Sequence, residues 1–270
     1  MVQSEDSKAW INQGHALRQA GHDEQALARY DRVLELRPND SRAWNHRGYV
    51  LDNLCRYEDA IESFENALTI RPDYPLAWHG KGMALGKLSR YEEALECFDR
   101  SLRLHPENYS AWYNRGKALA CLCHYREAVE SFDKALELKP NRHQSWYSKA
   151  TAQANLVRYD EAIDSLDTAL ILKPTCYYAW NYRGIVLSKL GRYKEALENF
   201  EKSLRLRDDN PNAWYGKACC FALQNKLDQV LKNLEQAFEL SPQLHRVMAK
   251  TDSHFVRLRS HPKFKALLEG

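Results

Sequence analysis

The sequence predicts an all-α fold, a solenoid of antiparallel helix pairs, and three periodic features predict it. All seven tryptophans lie 34 residues apart, from Trp10 to Trp214. Small residues and large apolar residues recur with the same period, and a proline recurs in six of the seven copies. A fixed period of about 20–50 residues is the signature of a repeat array, in which each unit contacts mainly its neighbours.

Each repeat is numbered here so that its tryptophan is position 4. The repeats then begin at Ser7, Ser41, Pro75, Tyr109, His143, Tyr177 and Pro211. Positions 4, 8 and 11 share one face of a first helix, and positions 20, 24, 27 and 28 share one face of a second. Small residues at positions 8 and 20 let the helices approach, and large residues at 4 and 24 fill the space beside them. Gly21 and Gly191, or small or polar equivalents, serve the turn, and proline at position 32 ends the second helix.

These positions resemble the tetratricopeptide repeat, whose signature is W-x2-L-G-x2-Y, then A-x3-F, then P. The resemblance covers residues 7–242 and recurs seven times. The repeats are similar to the form that is common in bacteria. It implies a right-handed superhelical solenoid. Residues 1–6 are predicted to be an N-terminal segment and residues 243–270 to be capping helices.

Two departures from the family pattern concern charge and the helix stop. Position 7, often leucine in the family, is Gln13, Arg47, Lys81, Arg115, Lys149, Arg183 and Lys217. Position 25 is always acidic: Asp31, Glu65, Asp99, Asp133, Asp167, Glu201 and Glu235. We predict a ladder of ion pairs between the two positions, within or between neighbouring repeats. A basic stripe for an acidic ligand is the alternative, but its counter-charge is already periodic. In repeat 6, Asp208 replaces the proline.

The residues after the seventh repeat leave the pattern and predict a helical cap. Ser260, His261 and Pro262 are typical of a helix start, with Ser260 as the N-cap and an early proline. Phe264 with Leu267 and Leu268, and Phe255 with Leu258, supply apolar faces. Such a cap would cover the exposed face of the last repeat.

Charge and cysteine content exclude several classes of protein. Residues 241–270 include six basic and two acidic residues, and their net positive charge is larger than the +3 of the whole chain. The repeats themselves are therefore close to neutral, and a near-neutral surface binds phosphate backbones poorly. No apolar run approaches the roughly 18–20 residues that span a bilayer, and the first eight residues do not form a secretory signal. Seven cysteines without a C-x-x-C spacing indicate reduced thiols in a cytoplasmic protein.

The resemblance implies that positions 2, 5, 6 and 9 of the first helices line a concave binding groove. Amide and tyrosine side chains there suit an extended peptide. The candidate binding residues are Asn12, His15, Arg42, Asn45, His46, Tyr49, His79, Met83, Tyr113, Asn114, Lys117, Tyr147, Ser148, Tyr178, Asn181, Tyr182 and Tyr215. The alternative is that these residue types are simply common on the surface of such helices and bind nothing.

Other functions find little support in the sequence. Some family members bind the C-terminal carboxylate of heat-shock chaperones through Lys at position 5 and Asn at position 9, and no repeat here has either. The glycine-rich residues 80–87 have the wrong spacing for a phosphate loop. No catalytic motif and no close metal-ligand spacing occurs, so neither enzyme activity, a metal nor a cofactor is predicted. The sequence therefore predicts a non-catalytic scaffold for a peptide or partner protein. The alternatives are a self-associating assembly module and an RNA-binding helical repeat.

Overall fold

The structure, a computed structural model, describes the backbone of residues 2–269 and the side chains of residues 9–269. The predicted N-terminal segment, residues 1–6, therefore lies outside the described side chains, and Met1 and Gly270 lie outside the described backbone. Between residues 2 and 269 the regular structure is helical, without a β-strand, and consecutive helices pack in pairs. The all-α prediction is confirmed.

The chain divides into two compact units, residues 1–140 and residues 141–270. The first unit contains four helix pairs: α1 (Val2–Gln19) and α2 (Asp23–Leu36), α3 (Ser41–Asn53) and α4 (Tyr57–Ile70), α5 (Pro75–Lys87) and α6 (Tyr91–Leu104), α7 (Tyr109–Cys121) and α8 (Tyr125–Leu138). The second contains three pairs: α9 (His143–Asn155) and α10 (Tyr159–Leu172), α11 (Tyr177–Lys189) and α12 (Tyr193–Leu206), α13 (Pro211–Leu223) and α14 (Leu227–Leu240). It ends with α15 (Pro242–Thr251), a 3-10 helix (Ser253–Leu258) and α16 (Pro262–Glu269).

The turn inside every pair places position 15 in the left-handed backbone region. Gly21 and Gly191 have φ values of 79° and 76°. Five non-glycine residues adopt the same conformation: Cys55, Ser89, Cys123, Val157 and Asn225. The amide of the following residue donates to the carbonyl five positions earlier, as Arg56 does to Leu51 at 2.9 Å, which is the Schellman helix ending. The turn geometry is therefore the same in all seven repeats, whatever the residue at position 15.

The two helices of a pair meet where glycine faces an aromatic ring. A Cβ built on Gly48 would lie 2.7 Å from the ring of Phe64, in the same pair. The same close approach holds for Gly14, Gly82, Gly116 and Gly184. Phe64 is fully buried, so the missing side chain at position 8 is what admits the large side chain at position 24.

The periodic tryptophans join consecutive pairs. Each is half-buried. Within the two units, the indole N–H donates to the backbone carbonyl six residues earlier, at position 32, in five of them: Trp44, Trp78, Trp112, Trp180 and Trp214. The distances from nitrogen to oxygen run from 2.7 Å for Trp44 and Pro38 to 3.1 Å for Trp214 and Asp208. Since the acceptor is a backbone carbonyl, aspartate serves in repeat 6 as well as proline does elsewhere.

The C-terminal helices cover α13 and α14. Phe255 and Phe264 are fully buried in a cluster with Leu234 and Phe238. α15 begins at Pro242, two residues after α14 ends, so the proline at position 32 of the seventh repeat starts the next helix. The predicted N-cap of α16 is wrong by one residue. The carbonyl of His261, not Ser260, accepts the first helical bond, from Lys265 at 3.0 Å.

Candidate partner-binding surface

The candidate residues of the first unit lie on α1, α3, α5 and α7 and differ widely in exposure. Three are exposed: Asn12, Arg42 and Lys117. Six are half-buried: His15, His46, Tyr49, Met83, Tyr113 and Asn114. Asn45 and His79 are buried.

The candidate residues of the second unit lie on α9, α11 and α13. Four are half-buried: Tyr147, Ser148, Tyr178 and Tyr182. Asn181 and Tyr215 are buried.

In four repeats the side chain at position 5 is buried within the protein. Asn45, His79, Asn181 and Tyr215 expose 9% of their surface or less. His79 contacts the next first helix, and the hydroxyl of Tyr215 donates to Asp252 of the cap at 2.9 Å. These four side chains therefore offer little surface to a ligand in this structure. A helical wheel does not show this burial, because positions 5 and 9 lie on the same face of the first helix. Which of the two positions is buried depends on how the next helix packs against that face.

Ring clusters form where neighbouring first helices meet. In the first unit, His15 and His46 pack edge to face with centroids 4.2 Å apart, and burial lowers the pKa of His46 to about 4. In the second unit, Tyr147 contacts Tyr178 and Tyr182, with centroids 4.8 and 5.7 Å away. Burial raises the pKa of Tyr147 to about 12, so its hydroxyl remains a hydrogen-bond donor at neutral pH.

A cleft of about 420 Å³ opens between α5 and α7, and we call it the α5–α7 cleft. Three predicted residues line it: Met83, Asn114 and Lys117. Seven other residues that line it were not among the candidates, including Gly86, Lys87, Tyr91 and Cys121. Gly86 is the reason for the space, because a Cβ built on it would meet no atom within 4 Å. Position 12 is larger in every other repeat, which is the signal that could have revealed the cleft.

The α5–α7 cleft has a basic mouth and a partly apolar floor. The ammonium of Lys117 lies 5.9 Å from the ring centroid of Tyr113 and pairs with no carboxylate among the described residues. Lys87 forms an ion pair with Asp52, whose carboxylate oxygen lies 2.8 Å away. Met83 and the ring of Phe98 supply apolar surface below. The cleft can accept an apolar side chain that is followed by a negative charge.

Asn114 is held in place at the edge of the α5–α7 cleft by His79. Its amide nitrogen lies 3.2 Å from Nε2 of His79. Burial lowers the pKa of His79, so its ring is neutral at pH 7 and can accept the amide N–H. The carbonyl oxygen of Asn114 then remains available to accept an N–H from a bound backbone.

The predicted ion-pair ladder is present inside each of the two units, and there it joins neighbouring repeats. Position 7 of one repeat reaches position 25 of the preceding repeat at five junctions within the two units. The N···O distances are 2.7 Å for Arg47–Asp31, 2.8 Å for Lys81–Glu65, 2.7 Å for Arg115–Asp99, 2.6 Å for Arg183–Asp167 and 3.5 Å for Lys217–Glu201. Arginine also donates within its own repeat, as Arg115 does to Ser131 at 2.7 Å. The basic stripe is therefore neutralised by the protein itself.

A second and larger cleft lies on the ladder side of the first unit, next to Trp112. This tryptophan cleft has a volume of about 670 Å³ and includes Asp99, Arg103, Arg115 and Lys134. A smaller version of about 340 Å³ recurs beside Trp214 in the second unit. Arg115 and Lys134 already pair with carboxylates, at 2.7 and 2.8 Å. In the part of the chain that the structure describes, Arg103 has no ion pair, as Lys117 has none in the α5–α7 cleft. The α5–α7 cleft is the more enclosed of the two and has the more apolar lining, so it is the stronger candidate.

Comparison with known proteins gives matches to tetratricopeptide repeats along most of the chain. Three tetratricopeptide repeat models match residues 11–75, 86–153 and 177–210. Residues 159–190 also match the protein prenyltransferase alpha subunit repeat. No curated protein sequence matches the chain.

Solved structures share the fold at low sequence identity. YrrB, described as a TPR protein with an unusual peptide-binding site, is 23% identical with a TM-score of 0.57, over 71% of this chain and 100% of its own. A tetratricopeptide repeat protein from Parabacteroides merdae is 17% identical with a TM-score of 0.69, over 91% and 98%. PilF from Pseudomonas aeruginosa is 20% identical with a TM-score of 0.70, over 81% and 99%. Among the described residues, none of the helices has the length and apolar character to cross a membrane.

Proposed function

Because the chain belongs to the tetratricopeptide repeat family, we propose that it is a non-catalytic scaffold of the cytoplasm that binds a partner protein through the α5–α7 cleft. The family supports a role in protein–protein interaction in general. The bound segment is an extended peptide with one apolar side chain followed by an aspartate, a glutamate or a C-terminal carboxylate.

The observation that carries this proposal is the combination of open space and an unpaired cation in one place. Gly86 leaves room above the apolar floor, and Lys117 supplies a positive charge at the mouth. An apolar side chain of the partner would displace water from Met83 and Phe98, while its carboxylate would pair with Lys117. The similar protein YrrB, described as having a peptide-binding site, supports a peptide as the ligand class.

Self-association through the C-terminal face has less support. The cap buries Phe255 and Phe264 against the last helix pair, so a second copy could stack there only after the cap had left. The near-neutral charge of the repeats likewise gives no support for RNA binding.

The test is a variant that fills the α5–α7 cleft without removing any contact. Gly86→Leu places a side chain in the open space and replaces a helical glycine by a better helix former. We expect this variant to lose a partner that the unaltered chain captures from native lysate, while circular dichroism and thermal stability show that it is folded. Lys117→Glu should lose the same partner, because the charge at the mouth is reversed.

The matched control is Arg103→Glu in the tryptophan cleft. If Arg103→Glu loses the partner and Gly86→Leu retains it, the binding site is the tryptophan cleft and the proposal is wrong. If both variants retain the partner, binding lies outside both clefts, which also contradicts the proposal.

A further inference from the structure

Three different metal-ligating side chains converge where the cap meets the seventh repeat. Cys219 Sγ, a carboxylate oxygen of Asp252 and His254 Nδ1 all lie within 4.8 Å of one another. Cys219 lies on α13, Asp252 follows the last residue of α15, and His254 is in the 3-10 helix. We propose that these three residues, the cap site, bind a zinc ion that fastens the cap to the last repeat.

The donor set suits zinc. This ion takes thiolate, imidazole and carboxylate ligands in tetrahedral geometry, with bonds of about 2.0–2.3 Å, so ligand atoms around it lie about 3.3–3.7 Å apart. Asp252 Oδ2 already lies 3.8 Å from Cys219 Sγ. Asp252 Oδ1 lies 2.6 Å from His254 Nδ1, at hydrogen-bonding distance, and this pair must open by a fraction of an ångström to admit the ion.

Two hydrogen bonds orient the Asp252 carboxylate in the cap site. The hydroxyl of Tyr215 donates to Asp252 Oδ2 at 2.9 Å, and the backbone N–H of His254 donates to Asp252 Oδ1, also at 2.9 Å. Outer-shell hydrogen bonds of this kind orient metal ligands and contribute to affinity. Cys219 is buried while Asp252 and His254 are half-buried, so an ion can enter from the solvent side. The fourth tetrahedral position is left for water.

Binding at the cap site involves proton release and no redox chemistry. The Cys219 thiol loses its proton as the sulfur bonds to zinc, and that proton goes to solvent. In the structure His254 Nδ1 donates its proton to Asp252 Oδ1. That proton leaves as Nδ1 bonds to zinc, and Nε2 takes up one proton from solvent, so the ring stays neutral and the net release is the single proton of Cys219. The alternative is a set of hydrogen bonds that fastens the cap without a metal, and it predicts neither metal uptake nor proton release.

The test uses the full chain with Cys55, Cys121 and Cys123 changed to serine, because these three exposed thiols could bind metal by themselves. Titration with Co²⁺, which substitutes for zinc, should give a thiolate-to-cobalt charge-transfer band that saturates at one ion per chain and disappears when Zn²⁺ is added. One proton should be released per ion, and the melting temperature should rise with the concentration of zinc.

Variants in the same background assign the ligands. Cys219→Ser should abolish the charge-transfer band, and His254→Ala should weaken binding by at least about 100-fold, since even the loss of an outer-shell partner costs about 10–100-fold. Cys220→Ser is the matched control, because the adjacent buried thiol contacts Ser188 at 3.0 Å and should leave the band unchanged. A band that survives Cys219→Ser, or no saturable binding at all, overturns the proposal. If Cys219→Ser does not fold, the His254→Ala titration decides.

Discussion

Replacing Gly116 by alanine would place a Cβ 2.7, 2.8 and 3.0 Å from three ring carbons of Phe132. Real Cβ atoms do not approach so closely, so the ring or a helix would have to move. Repeats in which position 8 is alanine avoid the clash by carrying a smaller partner, since Ala150 accompanies Leu166 and Ala218 accompanies Leu234. All five repeats with glycine at position 8 have an aromatic residue at position 24. We therefore expect Gly116 and Phe132 to be energetically coupled.

The expected change in the free energy of unfolding combines two opposing contributions. Overpacking the buried ring costs about 1–3 kcal/mol, and alanine recovers about 1 kcal/mol of helix propensity, so Gly116→Ala should destabilise by about 0–2 kcal/mol. Phe132→Leu leaves a small cavity that costs about 1–2 kcal/mol. In the double variant the leucine leaves room for the Cβ, and the gain in propensity remains. It should be more stable than the sum of the single effects by about 1–3 kcal/mol.

Urea denaturation followed by far-ultraviolet circular dichroism measures the three free energies of unfolding, provided that the m-value is unchanged. Gly86→Ala is the control, since its Cβ meets no atom within 4 Å and it should stabilise the chain by about 0.5–1 kcal/mol. If the double variant equals the sum of the single variants within about 0.5 kcal/mol, the close approach does not govern the choice of residue and the reasoning is wrong.

Three further predictions concern the turn inside a helix pair, the tryptophan hydrogen bond between pairs and a half-buried histidine. Val157→Asn should raise the free energy of unfolding by about 1 kcal/mol, because valine holds a left-handed φ of 63°; an unchanged melting temperature would contradict this. Trp112→Phe removes the 2.8 Å hydrogen bond to the Pro106 carbonyl and should cost about 0.5–1.5 kcal/mol by urea denaturation, whereas no loss would show that only ring packing matters. His46, with a folded pKa of about 4 against 6.5 unfolded, binds fewer protons when folded, so stability should fall as pH drops from 6.5 to 4, by about 1–3 kcal/mol for this half-buried ring. His46→Gln should flatten that slope, and a slope equal to that of the unaltered chain would assign it to another group.

The sequence predicts the helix pairs because a 34-residue period repeats one set of local rules seven times. The stop at position 32, the turn at position 15 and the apolar faces depend on residues within one repeat. The ion-pair ladder could also be predicted, since complementary charges recur at fixed positions. Its direction could not, because the choice between the same repeat and the preceding one depends on how two pairs pack.

The candidate site could be predicted only in part, because burial depends on neighbours that are distant in the sequence. The exposed Lys117 and the half-buried Asn114, which the sequence places on a binding groove, line the α5–α7 cleft, and their part in binding stays a prediction. The space between them and α5 results from the absent side chain at Gly86, and comparison of position 12 across the repeats is the only sequence signal for it. Tyr215 is covered by a cap whose position follows from tertiary packing, and the same packing brings Cys219 to Asp252 across 33 positions of sequence.

The ladder has a consequence for how such a chain can change its length. The five ion pairs within the two units use the same two positions with the same signs of charge. Every repeat from the second onward has a basic residue at position 7, and every repeat has an acidic residue at position 25. A duplicated or deleted segment of 34 residues would therefore meet compatible charges on both sides. Gain or loss of a whole repeat thus preserves the ion pairs between neighbouring repeats. An insertion of any other length would shift positions 7 and 25 out of register and break these pairs. The gene can grow by copying before any new contact has to evolve.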